Sequence, residues 1–206
     1  MKAFLLTAGL ACALAAAGLA TAQTKQPPPK PKAPPATEAK QAPATSGKLA
    51  LADQRFVKEA AIVGMAEVEL GKLAADKATT ADVKQFGQRM VDDHSKANDE
   101  LKSWASQNNV TLPADLDAKN KATRDRLSKL TGAAFDRAYM TAMVADHNAD
   151  VAAFERASKT VKNTDLKAWV DKTLPTLQEH KKMAHDTRAK LGGAAKTTKP
   201  KTMKKE

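Results

Sequence analysis

The chain has 206 residues, a formal net charge of +11 and a single cysteine. Residues 23–48 and 192–206 each carry five lysines against one glutamate, and Lys2 adds one more positive charge, so residues 49–191 keep an excess of only +2. A nucleic-acid-binding protein is expected to carry its basic stripe on the folded surface, so the charge distribution argues against nucleic acid as a partner.

The first residues have the pattern of an export signal. Met1 and Lys2 precede an apolar run rich in alanine and leucine, and Ala20-Thr21-Ala22 has the form of a signal-peptidase site. We expect residues 1–22 to be removed and the mature protein to lie in the periplasm or at the outer membrane. A lipoprotein modified at Cys12 is a less favoured alternative. Cleavage after Ala22 removes the cysteine, which excludes disulfides and thiolate chemistry.

Two segments are predicted to be disordered. Residues 23–48 are rich in proline and lysine with almost nothing to bury, which is typical of a semi-extended tether. Residues 192–206 form a second, lysine-rich tail. We expect these basic tails to contact anionic envelope surfaces, through an attraction that salt screens over about 8 Å.

Residues 49–191 predict one all-α domain. Apolar residues recur at steps of three and four, as on the buried face of a helix. The long helices are expected at residues 50–78, 81–108, 132–160 and 165–191. Thr80, Thr131 and Thr164 are the expected N-caps, and Pro175 is expected to kink the last helix.

The second and third long helices are joined by a long connection. Residues 108–130 include Leu112-Pro113 and the pattern of a short helix near 115–130. This segment is long enough to run the length of a bundle. The sequence therefore predicts a four-helix bundle with a crossover between its second and third helices.

One polar residue interrupts the apolar seam of each long helix: Glu67, His94, His147 and His180. In an antiparallel helix pair, residues equidistant from the turn lie side by side. Glu67 and His94 are equidistant from the turn near residue 80, and His147 and His180 from the turn near residue 163. Each pair should lie roughly 20 Å from its turn at about 1.5 Å per residue. We therefore expect one polar layer near mid-bundle.

Further polar and sulfur side chains accompany this layer. An acidic residue precedes each histidine, namely Asp93, Asp146 and Glu179, and could orient an imidazole from the side. With a crossover topology, three methionines lie one turn away on the same side of the layer. They are Met90, Met143 and Met183, which are either core fillers or additional ligands.

Several ordered motifs resemble a known family. They are Glu67-Val-Glu-Leu-Gly71, Gln88-Arg-Met-Val-Asp-Asp-His94, Leu112-Pro113, Gly132-Ala-Ala-Phe-Asp-Arg-Ala-Tyr139 and Leu174-Pro-Thr-Leu-Gln-Glu-His180. Over residues 50–191 the chain resembles the bacterial domain-of-unknown-function family DUF4142 of secreted proteins, often described as predicted outer-membrane proteins. The resemblance implies a ferritin-like bundle in a bacterial envelope, and it supplies no established activity.

The donor set favours a single metal ion over a di-iron centre. Di-iron bundles use Glu-x-x-His motifs, whereas Val91, Val144 and Leu177 stand three residues before these histidines. Three imidazoles and one carboxylate suit zinc, copper, nickel or ferrous iron, and nearby thioethers would favour Cu(I). Zinc or copper is preferred to a di-iron centre. The favoured interpretation of the layer is metal-free, as hydrogen-bonded polar groups that fix helix register, and a native metal site is the alternative.

The sequence leaves two hypotheses of function. The first is an exported, non-enzymatic bundle with an interaction, stress-protective or structural role. The second is a periplasmic metal-binding protein that uses the layer formed by Glu67, His94, His147 and His180. A metalloenzyme is less favoured, because it needs an open coordination position and a substrate cavity, which no sequence feature indicates. The sequence also contains no phosphate-binding loop, nucleophile elbow or H-E-x-x-H motif.

Overall fold

The computed structural model describes residues 49–197, with side chains as far as residue 193. The predicted signal peptide, the tether and residues 198–206 lie outside this range. The described residues form five α-helices and no strand, namely α1 Leu51–Lys77, α2 Ala81–Gln107, α3 Ala118–Ser128, α4 Gly132–Thr160 and α5 Thr164–Thr197. The all-α class is confirmed, but the helix count is five because the crossover segment contains the short α3. Within residues 49–197, no helix is long and apolar enough to cross a membrane.

The four long helices pack as two hairpins. α1 packs along α2, α4 packs along α5, and the hairpins meet where α2 contacts α5 and α1 contacts α4. One apolar cluster joins the beginnings of α1 and α5 to the ends of α2 and α4, and a second cluster joins the opposite ends. α2 and α4 therefore run in the same direction, and the connection through α3 spans the length of the bundle.

The two apolar clusters leave the middle of the bundle to polar residues. On α1 the first cluster ends at Ala61 and the second begins at Leu70, and on α5 the corresponding residues are Leu177 and Ala184. Buried polar side chains lie between these limits. The polar layer therefore separates two apolar halves of the core.

The turn between α1 and α2 is fixed from a distant helix. Thr80 and Thr131 occupy the N-cap positions of α2 and α4, but neither side chain makes a capping hydrogen bond within the described residues. Instead, the buried carboxylate of Asp136 accepts hydrogen bonds from the backbone N–H groups of Thr79 and Thr80, each at 3.0 Å. Thr80 and Thr131 therefore stand at the predicted N-cap positions, but the turn before α2 is held by Asp136, which binds N–H groups other than those that a Thr80 side-chain cap would bind.

α5 differs from its prediction at both ends. Its first turn is capped by Asn163, whose Oδ1 accepts a hydrogen bond from the Leu166 N–H at 2.8 Å, so Thr164 is the first helical residue and not the cap. The helix continues through Pro175 and ends at Thr197, six residues into the predicted tail. Glycine disfavours a helix by only about 1 kcal/mol, so the two glycines at 192 and 193 do not stop it.

Glycines allow α1 and α2 to approach closely beside the polar layer. A Cβ added to Gly71 would lie 2.7 Å from the backbone oxygen of Gly87, and one added to Gly87 would lie 2.7 Å from the Cβ of Ala74. Because backbone atoms cannot move aside as a flexible side chain can, larger residues here would push the helices apart. The close approach determines how near the seam residues of α1 come to those of α2.

Candidate metal centre

The polar layer brings three imidazoles together from three helices. His94 on α2, His147 on α4 and His180 on α5 are all buried. Their ring centroids are 5.2 to 5.8 Å apart. One ring nitrogen of each lies within 4.8 Å of a ring nitrogen of each of the others. The remaining long helix, α1, carries Glu67, whose Oε1 lies 3.9 Å from His147 Nδ1.

The orientation of His147 is set by its own helix. Its Nδ1 lies 3.0 Å from the backbone oxygen of Met143. A carbonyl oxygen only accepts hydrogen bonds, so Nδ1 carries the proton of the neutral ring and Nε2 keeps its lone pair. The buried Nε2 has no hydrogen-bond partner within residues 49–197.

His180 is held by a carboxylate on a neighbouring helix. Its Nε2 lies 2.8 Å from Asp93 Oδ2, and Arg89 forms a short ion pair with the same carboxylate. Partial burial raises the pKa of Asp93, but the hydrogen bonds from Arg89 and His180 outweigh it and leave that pKa below its ordinary value. The ionised Asp93 therefore accepts the Nε2 proton, which leaves a lone pair on Nδ1 of His180.

Two of the imidazoles thus keep a defined lone pair on a buried ring nitrogen, namely Nε2 of His147 and Nδ1 of His180. The Nε2 atom of His94 is also buried without a hydrogen-bond partner in the described structure, as is Nδ1 of His180. We call His94 Nε2, His147 Nε2 and His180 Nδ1 the open nitrogens. A buried polar atom without a partner costs about 1–3 kcal/mol, so three in one layer form a costly and specific arrangement.

Burial also keeps these rings neutral. Desolvation, reinforced by the neighbouring imidazoles, lowers the pKa of His94 well below its ordinary value and that of His147 to about 4. Desolvation likewise lowers the pKa of His180, despite the opposing effect of Asp93. Because a neutral imidazole is the form that binds metals, the layer presents three ready donors at neutral pH.

Glu67 faces a carboxylate that the sequence analysis did not identify. One carboxylate oxygen of Glu67, one of Asp150 and one ring nitrogen of His147 lie within 4.8 Å of one another. Burial, followed by repulsion from Asp150 and Asp146, raises the pKa of Glu67 well above its ordinary value. Burial and repulsion from Asp146 raise the pKa of Asp150 to about 7. Asp150 could have been suspected, because it follows His147 by three residues on one helix face.

The remaining predicted residues occupy different environments. Met90 and Met143 are fully buried in the second apolar cluster, and Met183 packs at its margin. Asp146 is half-buried on the Glu67 side of the layer. The side chain of Glu179 is 67% exposed and lies 3.5 Å from Arg89. Asp93, rather than Glu179, therefore orients His180.

A cavity connects the imidazoles to the surface between α2 and α5. Its volume is about 110 Å³, and His94 and His180 lie among its lining residues. Charged side chains surround its mouth, where Lys172 Nζ lies 2.7 Å from Glu100 Oε1. These two histidines thus lie beside a path by which a small ion or a water molecule could arrive.

Sequence comparison assigns the chain to a family. The profile of the domain of unknown function DUF4142 matches residues 38–187. The chain belongs to the DUF4142 family. No curated protein matches it.

Solved structures share the fold at low sequence identity. A DUF305 fragment from Deinococcus radiodurans has a TM-score of 0.62 at 9% identity, covering 70% of this chain and 99% of that one. CopM in its Cu(I)-bound form has a TM-score of 0.55 at 17% identity, covering 65% of this chain and 93% of CopM. The Cu(II)-bound form of CopM gives 0.58 at 17% identity, with 67% and 96% covered. These likenesses concern the fold alone.

Proposed function

We propose that this DUF4142 protein binds one transition-metal ion through His94, His147 and His180. The single observation that carries the proposal is the set of three open nitrogens, which lie in one buried layer. A metal ion would satisfy all three lone pairs at once. The proposal selects the second of the two hypotheses left by the sequence.

The hydrogen bonds behind the rings support metal binding over a purely structural layer. In a structural layer the ring nitrogens would be paired with one another or with neighbouring polar groups. Here the outer nitrogens of His147 and His180 are occupied by Met143 O and Asp93, while the inner nitrogens are open. Such outer hydrogen bonds fix the tautomer and the direction of a metal-binding imidazole.

Copper is the first metal to test, and zinc is the second. Three neutral imidazoles suit either ion, and zinc would complete a tetrahedron with a water molecule from the cavity beside His94 and His180. CopM, a neighbour in fold, has Cu(I)-bound and Cu(II)-bound forms. This likeness in fold is the reason to test copper before zinc. The argument that either ion binds rests on the three imidazoles of this chain.

The role that we infer is binding or buffering of the metal in the bacterial envelope, without catalysis. The envelope location rests on the predicted signal peptide at residues 1–22, and the basic tails would keep the domain near anionic surfaces. Stress protection is compatible with this role, because sequestering a reactive metal ion protects other envelope proteins.

The test is a competition titration of tag-free mature protein with Cu(I) and a chromophoric Cu(I) chelator, repeated with Zn²⁺. We expect one ion per chain, and we expect the double variant His94→Ala with His147→Ala to weaken binding by at least about 100-fold, as loss of metal-supporting groups does. His185→Ala is the matched control, because His185 is exposed and lies outside the layer. Equal affinity in wild type and double variant, or no binding of either metal, contradicts the proposal.

A further inference from the structure

A second cavity lies on the opposite side of the polar layer from the path to His94 and His180. It has a volume of about 330 Å³ and is bordered by α1, α4 and the beginning of α3. Its charged lining residues are Glu59, Glu67, Asp117, Asp146, Asp150 and Lys119. Five carboxyl groups and one ammonium group thus line the cavity, and this lining favours cations once the acids are ionised.

Two of the acidic residues that line this cavity each have a buried oxygen without a hydrogen-bond partner in the described part of the chain. Glu67 is only 1% exposed, and its Oε2 has no hydrogen-bond partner among the described residues. Oδ2 of Asp150 is buried and equally without a partner within residues 49–197. By contrast, Asp117 caps α3, because its Oδ1 accepts a hydrogen bond from the Asn120 N–H at 2.8 Å. Glu67 and Asp150 therefore each keep a buried oxygen that is available to a ligand.

The two available carboxylates are close enough to share one ion. One oxygen from each lies within 4.8 Å of the other, and Asp146 stands one turn before Asp150 on the same face of α4. Like charges at this separation repel strongly where water is scarce. A bound cation would turn this repulsion into attraction.

We propose that Glu67 and Asp150, assisted by Asp146, bind a second cation, a hard divalent ion of the Mn²⁺, Mg²⁺ or Ca²⁺ class. Oxygen ligands suit these ions, which keep several water molecules when a protein supplies only a few carboxylates. The cavity has room for those waters. The site is separate from the three-imidazole site and uses none of the open nitrogens.

His147 lies between the two sites but serves only the first one as a ligand. Its Nδ1 donates to Met143 O and lies 3.9 Å from Glu67 Oε1, so this edge of the ring offers a proton and not a lone pair. The second site therefore has oxygen donors only. The two sites differ in donor chemistry, which predicts that soft and hard ions occupy them independently.

Mn²⁺ is the probe, because its electron paramagnetic resonance signal distinguishes free from bound ion. We expect the mature full-length protein to bind one Mn²⁺, and the double variant Glu67→Gln with Asp150→Asn to bind it about 100-fold more weakly or not at all. The matched control is Asp99→Asn with Glu155→Gln, which removes the same two charges from exposed positions. Circular dichroism checks that each variant is folded, and replacing buried carboxylates by neutral amides is expected to preserve the fold.

A third variant separates this proposal from that of the transition-metal site. His94→Ala is expected to lose Cu(I) binding and keep Mn²⁺ binding, whereas Glu67→Gln with Asp150→Asn is expected to keep Cu(I). Unchanged Mn²⁺ affinity in the carboxylate double variant overturns the second site, and so does absence of Mn²⁺ binding in the wild type. Loss of Mn²⁺ in His94→Ala also overturns it, because one shared site would then bind both ions. If His94→Ala still binds Cu(I) as wild type does, that result contradicts the proposed imidazole site and leaves the carboxylate site standing.

Discussion

The two sides of the polar layer respond to the same burial in opposite ways. On the side of α2 and α5, burial lowers the pKa of His94 and His180, so the rings are neutral and hold free lone pairs. On the side of α1 and α4, burial raises the pKa of Glu67 and Asp150, so the carboxyl groups resist ionisation. Desolvation always disfavours the charged form. Neutrality makes an imidazole a better ligand, but it makes a carboxyl group a poorer one.

This difference predicts unequal metal dependence. The imidazole side is ready for an ion at neutral pH, whereas the carboxylate side must first lose a proton from Glu67 or Asp150. We therefore expect the imidazole site to be filled first and more tightly. Three experiments test this difference between the two sides of the layer.

The largest effect should be stabilisation by Cu(I). An ion that binds only the folded chain adds about 4 kcal/mol at a free concentration about 1,000 times its dissociation constant. For a domain of this size that corresponds to roughly 8–16 °C in melting temperature. Thermal melts followed by circular dichroism should show this rise in wild type and in His185→Ala, and no rise in His94→Ala with His147→Ala. An equal rise in the double variant would place the copper elsewhere.

The second effect concerns stability against pH in metal-free protein. The pKa of His147 is about 4 in the folded chain against an ordinary 6.5, so the unfolded chain takes up the proton first and stability falls as pH drops from 6.5 to 4. The pKa of Asp150 is about 7 against an ordinary 3.8, so the folded chain keeps a proton that the unfolded chain loses. Stability therefore also falls as pH rises from about 4 to 7.

These opposing slopes should partly cancel in wild type and appear separately in variants. His147→Gln should remove a dependence of the unfolding free energy on pH of about 1.4 kcal/mol per pH unit between pH 4 and 6.5. Asp150→Asn should remove the loss of stability that occurs as pH rises from about 4 to 7. The increase in stability with pH that is due to His147 should then be visible alone. Urea unfolding in a chelator, at half-unit steps from pH 4 to 7.5, measures both. The exposed residues His185 and Asp99 give the controls His185→Gln and Asp99→Asn, and equal changes in slope from these controls would refute the assignment.

The sequence was sufficient to predict the polar layer, because a short turn between two antiparallel helices fixes which of their residues lie side by side. Equal distances from two turns paired Glu67 with His94 and His147 with His180, and the structure brings these four residues together. The burial of Asp150 was not predictable in the same way. It depends on how α1 and the crossover helix α3 cover α4, and contacts between sequence-distant helices leave little trace in local periodicity.

The same limit explains the acidic residues beside the histidines. Asp93 and Glu179 each precede a histidine, and neighbouring residues on a helix point about 100° apart. Sequence alone left both as candidates to orient an imidazole. The rotation of α2 against α5 turns Asp93 towards His180 and leaves Glu179 at the surface. The role of Asp136 in the turn before α2 was not predictable for a similar reason, since Asp136 lies more than 50 residues from Thr79 and Thr80.

The smallest effect should come from the carboxylate behind His180. Asp93→Asn keeps an oxygen that accepts the Nε2 proton but removes the negative charge that makes the ring a stronger donor. We expect Cu(I) affinity to fall about 10-fold, the lower end of the range for groups that support a metal ligand, while the melting temperature of the metal-free protein stays close to that of wild type. Asp92→Asn is the matched control, because Asp92 directly precedes Asp93, is exposed and accepts a side-chain hydrogen bond from Gln88 instead of from a histidine. If Asp92→Asn weakens Cu(I) binding as much as Asp93→Asn does, the effect is one of general charge, and the hydrogen bond from His180 to Asp93 has no special part in holding the metal.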